Sequence, residues 1–193
     1  MSSRPLVSSN GALGALIPKF PRAKVLVIGD LMLDEFIWGK VSRISPEAPV
    51  PVVWVQSDSV MPGGAANVAN NIRALGGRVS LVGVVGHDRW GDTLLKDLAS
   101  RKMGVRGIVR ISRPTTVKTR VIAHHQQVVR VDREQVEPFA PKVTEQLIAA
   151  VTKQLPEVDA VIIEDYGKGV IARRLLEAIV PLARKGARPV HMA

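Results

Sequence analysis

Val25-Leu26-Val27-Ile28 is an unbroken apolar run. A strand without polar alternation is stable only where both of its faces are covered, as in a parallel sheet flanked by helices. The run ends in Gly29-Asp30-Leu31-Met32-Leu33-Asp34, so two carboxylates lie just past the strand's carboxyl end. Open α/β sheets bind ligands there, and a carboxylate at that place can accept hydrogen bonds from two hydroxyls of one ligand. Asp34 and Asp30 are therefore candidate ligand contacts, although a turn or helix cap is an alternative reading of Asp30.

Strands and helices alternate along the rest of the chain, the pattern of a parallel sheet with helical crossovers. Residues 35–57 hold Pro46, Pro49 and Pro51 ahead of an apolar run from Val50 to Val55, which suits an edge ribbon projecting from the sheet. A strand is predicted from Val79 to Val85, then a helix through Leu94, Leu95 and Leu98. Thr115–Ala123 and Gln127–Asp132 read as a strand pair around His124-His125. Adjacent strand residues point to opposite faces, so a hairpin turn with two solvated imidazoles is preferred there to a metal site. A helix from Pro141 carries Val143, Leu147, Val151 and Leu155, and the strand Ala160–Ile163 delivers Glu164-Asp165-Tyr166-Gly167-Lys168-Gly169 to its carboxyl end.

The run Met61–Gly76, MPGGAANVANNIRALG, is a Gly-Gly turn feeding an amphipathic helix. Gly63 and Gly64 lack a Cβ and allow close backbone approach, while Asn67 in the first helical turn offers both a donor and an acceptor to hydroxyls. A helix start also favours anions. The segment reads as a sugar site. A plain glycine turn before a core helix is the competing reading, because Ala66, Ala69, Ile72 and Leu75 recur at core spacing.

The net charge of +10, from 27 basic and 17 acidic residues, would also suit a nucleic-acid binder. The basic residues are scattered, however, and aromatic residues make up only 4% of the chain, so neither a dense basic block nor a stacking platform is present. Positive potential serves equally to steer an anionic small substrate. The chain has no cysteine, which removes disulfides and thiolate metal sites, and no apolar stretch long enough to span a bilayer. Residues 1–23 are rich in serine, glycine and proline without a sustained apolar segment, and read as a flexible leader of a cytoplasmic protein.

Taken together, GDLMLD, SRISPEAPVPV at Ser42–Val52, PGGAANVANNIRALGG and EDYGKG resemble the N-terminal part of a ribokinase-family (PfkB-type) sugar kinase, from about Lys24 to about Gly186. SRISPEAPVP, VVRVDRE and DYGKG are most similar to the branch that phosphorylates D-glycero-D-manno-heptose 7-phosphate at C1, on the route to ADP-heptose for lipopolysaccharide. The resemblance implies a ribokinase-like three-layer α/β/α sheet over residues 24–193, incomplete here, with a small β-strand lid from about 35–57 and 115–133. It implies ATP and Mg²⁺ as cofactors, and a homodimer formed through the lid. Asp34, Gly63, Gly64, Asn67, Asp165, Lys168 and Asp30 become sugar-site candidates, and Lys118, Arg120 and Arg130 phosphate-binding candidates. A solvated lysine at a glycine turn is the alternative for Lys168.

In such kinases the base that deprotonates the acceptor hydroxyl is the Asp of a Gly-Ala-Gly-Asp turn, and the sequence contains no such turn. No catalytic residue is therefore assigned, and the chain by itself is expected to be inactive. A kinase for another sugar of the same family, or a non-catalytic module that binds sugar or dimerises, are the competing readings.

Overall fold

The computed structural model describes residues 14–193. Nothing of the expected leader before residue 14 is therefore on view, but Ile17–Arg22 forms a short 3-10 helix. Pro21 of that turn packs 3.2 Å from where a side chain on Gly76 would begin, so the end of the expected leader lies against the body of the fold.

Five parallel strands make the central sheet: β1 (Lys24–Gly29), β4 (Arg78–Gly86), β5 (Gly104–Ile111), β8 (Ala160–Glu164) and β9 (Val190–Met192). Their order is β5-β4-β1-β8-β9. From β1 the chain first builds outward through β4 to β5, then returns to place β8 and β9 on β1's other side. The strand order thus reverses between β1 and β8, the switch point at which an open α/β sheet leaves a crevice at its carboxyl end.

Helices cover both faces: α1 (Ala65–Ala74) and α2 (Arg89–Ser100) on one, α3 (Pro141–Gln154) and α4 (Arg173–Lys185) on the other. The unbroken run in β1 is explained by this sandwich. Val27 joins Ala65, Ala66, Ala69, Leu94 and Leu98, whereas Leu26 and Ile28 join Leu147, Val151, Leu175 and Ile179. All three β1 residues are fully buried. Of the helix residues read as a core stripe, Ala66 and Ala69 are buried, but Leu75 caps the helix and is 59% exposed.

A second sheet of four strands stands beyond the carboxyl ends. It comprises β2 (Leu31–Ile44), β3 (Pro51–Gly64), β6 (Thr116–Ala123) and β7 (Gln126–Arg133), in the order β3-β2-β6-β7. The two expected lid segments therefore belong to one sheet, longer at the base than the sequence indicates. Strands β2 and β6 run parallel and are paired from Met32↔Thr116 to Gly39↔Ala123. His124 and His125 form the β6–β7 turn with φ of 51° and 66°, the left-handed conformation that a two-residue hairpin demands. Both histidines are exposed, and the His124 ring nitrogen Nε2 lies 3.0 Å from the carbonyl oxygen of Val41.

Candidate sugar-binding site at the sheet switch point

The site begins where β1 ends. Asp30 turns the chain from the central sheet into the lid: its amide donates to the Glu164 carbonyl (3.3 Å), and its own carbonyl accepts from the Ala65 amide at the start of α1 (3.0 Å). Its carboxylate is buried and accepts three backbone amides, from Tyr166 (2.9 Å), Lys168 (3.1 Å) and Val170 (3.1 Å). With Asp30 only 1% exposed and its two oxygens turned to these amides, a sugar hydroxyl has no access to the carboxylate. Asp30 is thus corrected from a ligand contact to the residue that shapes the loop after β8. The cap alternative comes close, with a loop in place of a helix.

That loop, 165–169, turns through Gly167 (φ 68°) and Gly169 (φ 99°), conformations that suit glycine. Asp165 is exposed at its start and accepts from the Gly167 amide at 2.9 Å. Lys168 is half-buried, with Nζ 2.9 Å from Glu134 Oε1.

Gly63 and Gly64 close the β3 side. Gly64 has φ 56° and precedes α1 with no side-chain cap, and a Cβ there would meet the Asp30 carbonyl at 2.5 Å. A Cβ on Gly63 would meet Asp34 Oδ2 at 2.6 Å. Asn67 lies in the first turn of α1 with its side chain exposed. Asp34, Gly63, the start of α1 and the 165–169 loop are therefore grouped around the β1–β8 switch point.

One lid face supplies charge to this crevice. Register places Asp34 opposite Lys118 and Phe36 opposite Arg120 across β2–β6, and Lys118 opposite Asp132 and Arg120 opposite Arg130 across β6–β7. Residues paired in register share a face, so all of these side chains project from one side of the lid. Arg120 reaches diagonally to Asp34 (2.6 Å) with its guanidinium 5.3 Å from the centre of the Phe36 ring. Lys118 pairs with Asp132 (3.2 Å), and Arg130 binds Asp132 through two nitrogens (3.0 and 3.2 Å). Burial pushes the Asp132 carboxyl up, but the bonds and charges of Lys118 and Arg130 outweigh it and hold the group below its usual range. The three phosphate-binding candidates are thus all engaged by carboxylates.

Two further residues were given no role in the sequence, although Glu134 closes VVRVDRE. Glu134, just past β7, joins Lys168 to the lid. Arg113 lies with its guanidinium 4.1 Å from the centre of the Phe139 ring, and donates to the carbonyls of Gln135, Glu137, Pro138 and Lys168. It clamps the lid-exit segment onto the 165–169 loop. A third knot secures the other lid leg. Asp88, which caps α2 through the Gly91 amide (2.8 Å), also accepts from the Thr115 amide (2.7 Å) and hydroxyl (2.9 Å). Burial raises the Asp88 pKa, but these bonds outweigh it and leave it lowered.

The roomier hollows of the molecule lie elsewhere. One of about 570 Å³, lined by Ser80, Met103, Gly104 and Arg106, opens at the amino ends of the strands, the end that open α/β sheets do not use for ligands. Among the described residues no three His, Cys, Asp or Glu side chains converge as they would around a metal ion, and no helix is long and apolar enough to cross a membrane.

Comparison with known proteins agrees with this geometry. The pfkB family carbohydrate kinase profile matches residues 22–191. The bifunctional protein HldE of Rhodopseudomonas palustris is 47% identical over 174 residues, covering 89% of this chain and 36% of that protein. HldE of Helicobacter pylori strain J99 is 45% identical over 163 residues, covering 84% and 35%. The chain thus spans about a third of the length of these curated relatives. Among solved structures, Escherichia coli phosphofructokinase-2 in complex with substrates and products superposes with a TM-score of 0.65 at 19% identity, over 89% of this chain and 54% of that one. The microbiome-derived acarbose kinase Mak1 superposes with a TM-score of 0.64 at 18% identity, over 88% and 52%. These two likenesses show the ribokinase-like fold. With the profile matched from residue 22 to residue 191, the chain belongs to the pfkB family of carbohydrate kinases, phosphotransferases with an alcohol acceptor.

Proposed function

We propose that this chain is the acceptor-binding part of a kinase that transfers the ATP γ-phosphoryl group to the C1 hydroxyl of D-glycero-D-manno-heptose 7-phosphate, in the synthesis of ADP-heptose for lipopolysaccharide. The observation that carries the reading is the meeting of Asp34 and the Gly63–Asn67 turn with two lysines, Lys118 and Lys168, at the sheet switch point. A sugar phosphate needs both kinds of group. Asp34 and Asn67 take hydroxyls, Asp165 takes a further hydroxyl from the loop side, and the lysines neutralise the phosphate. The choice of heptose rests on SRISPEAPVPV and EDYGKG.

Phosphoryl transfer is mainly positioning and electrostatics, and this chain's residues position the acceptor. ATP with Mg²⁺ supplies the phosphoryl group when bound. The described residues show no carboxylate cluster fitted to the metal, and the sequence contains no Gly-Ala-Gly-Asp turn to deprotonate the acceptor. The side chains at the switch point therefore bind, orient and desolvate the sugar, and none is assigned the proton transfer.

The lid's second face exposes Val129 and Val131, 47% and 46% accessible, beside Val121. An apolar strand face of this kind supports pairing with a second copy of the chain.

The test is ADP release by the longest native polypeptide containing this chain, with heptose 7-phosphate, ribose, fructose 6-phosphate and a nucleoside offered in competition. Preference for the heptose is expected, and preference for another sugar overturns the substrate. The 193-residue chain alone is expected to release no ADP.

A further inference from the structure

Glu134 stands between two lysines contributed by different parts of the fold. Lys168, on the loop after β8, places Nζ 2.9 Å from Oε1, and Lys118, on lid strand β6, places Nζ 3.8 Å from Oε2. The lysine side chains are 19% and 18% exposed and the Glu134 side chain 25%, so the trio is largely withdrawn from water. Oε2 itself is sealed from solvent and accepts no hydrogen bond among the described residues. A carboxylate oxygen there has given up its hydration and gained only the pull of an ammonium group beyond hydrogen-bond distance.

The two lysines are not held alike. Lys168 has its ion pair with Glu134, whereas Lys118 hydrogen-bonds Asp132 at 3.2 Å and reaches Glu134 only at 3.8 Å, so three donors on each ammonium group are incompletely used. A phosphate monoester brings up to two charges and three terminal oxygens, and matches the pair better. Glu134 is also free to leave. Strand pairing ends at Arg133 and the pinned segment begins at Gln135, so a rotation of this one side chain vacates the space.

Resting on the reading of Lys118 and Lys168 as contacts for the substrate's phosphate, we propose that Glu134 is an internal occupant of that anion site which the substrate's phosphate displaces. It determines specificity. A free inorganic phosphate gains only the two lysines and must still evict the carboxylate. A sugar phosphate adds hydroxyl contacts at Asp34, Asn67 and Asp165, and overcomes the same barrier. The occupant therefore rejects small free anions while admitting phosphorylated sugars.

Glu134→Gln in the longest native polypeptide removes the competing charge and keeps the shape. Calorimetric titration with inorganic phosphate and with heptose 7-phosphate is the measurement. Inorganic phosphate is expected to bind about tenfold more tightly to the variant, with a smaller gain for the sugar phosphate, so that discrimination between the two falls. Unchanged or weakened binding of inorganic phosphate overturns the proposal. Adding Lys168→Met to Glu134→Gln should abolish the gain, and its survival also overturns it. Glu134→Asp, which withdraws the carboxylate by one methylene, should give an intermediate gain and serves if the glutamine variant does not fold. A gain for inorganic phosphate in a protein whose wild type binds no sugar phosphate would uphold the occupant and refute the sugar reading.

Discussion

Asp34 lies diagonal to Gly63 across β2 and β3, so close that Oδ2 of the aspartate stands 2.6 Å from where a side chain on Gly63 would begin. Gly64 is under a different constraint, since its φ of 56° and the Asp30 carbonyl both oppose a Cβ. Gly63→Ala can be relieved by movement of the flexible Asp34 and Met32 side chains, whereas Gly64→Ala must move backbone. Gly64→Ala is expected to cost about 1–3 kcal/mol of stability. Gly63→Ala should cost less and weaken sugar binding more. Urea unfolding and ligand titration on both variants check the contrast, and a reversed order refutes it.

Asp34→Asn retains the shape at the mouth of the crevice and removes the charge that holds Arg120. In the longest native polypeptide the apparent sugar affinity should fall at least about tenfold, equivalent to about 1.4 kcal/mol, while far-UV circular dichroism stays native. An unchanged KM removes Asp34 from the site.

Asp30→Asn replaces one acceptor oxygen by an NH₂ group facing backbone donors, so at least one of three buried amide bonds is lost. The expected loss is about 1–3 kcal/mol, with faster amide hydrogen exchange confined first to residues 166–170. Uniform exchange across the central sheet would instead mark Asp30 as a general core residue.

The pH dependence has two parts of opposite sign. Asp88 and Asp132 titrate below their usual range when folded. Their stabilisation is complete above the unfolded value of about 3.9 and disappears as pH falls through the lower folded values, where the unfolded chain binds more protons. Glu164 is raised by burial, against a smaller opposing pull from His191. Its contribution is present below an unfolded value of about 4.3 and is lost as pH rises through the folded one. Unfolding free energies across this acid range should therefore fall less steeply for Asp88→Asn than for wild type as pH drops, and Glu164→Gln should flatten the decline on the higher side. Identical profiles would count against both assignments.

His125 holds φ of 66° in the two-residue lid turn without being glycine. His125→Gly should raise stability by roughly 0.5–1 kcal/mol by relieving that conformation. His124 is best left in place because its ring meets the Val41 backbone. A lowered Tm would show that the His125 ring contributes more than the turn costs.

Much of the architecture was legible because it is written in periodicity. The run Val25–Ile28 announced a strand covered on both faces, and the spacing of Leu147 and Val151 announced a helix that packs on it. The Gly-Gly turn was read as feeding a helix and EDYGKG as ending a strand, and the structure starts α1 at Ala65 and ends β8 at Glu164. What periodicity does not carry is the partner of a charged side chain. Lys118, Arg120 and Arg130 were read as phosphate-binding candidates, yet each meets a carboxylate, which for Lys118 and Arg120 β-sheet register brings alongside and for Arg130 lies two residues on in the same strand. Asp30 was misread for the same reason, since the amide of Val170 that binds it lies 140 residues further along the chain. Arg113 and Glu134 act through loop contacts for which the sequence holds no periodic signal.

The parallel pairing of β2 with β6 sets the order in which the molecule can assemble. Glu35 and Thr119, hydrogen-bonded at 2.5 Å, are 84 residues apart, and β3, α1, β4, α2 and β5 all lie between them. Closing so long a loop costs entropy, and the central sheet carries the same kind of cost where Val25 of β1 pairs with Ala160 of β8. The crevice that holds Asp34, Arg120 and Lys118 closes only once β2 and β6 are both in place. Sugar bound there would act as a kinetic clasp, slowing unfolding more than it speeds folding.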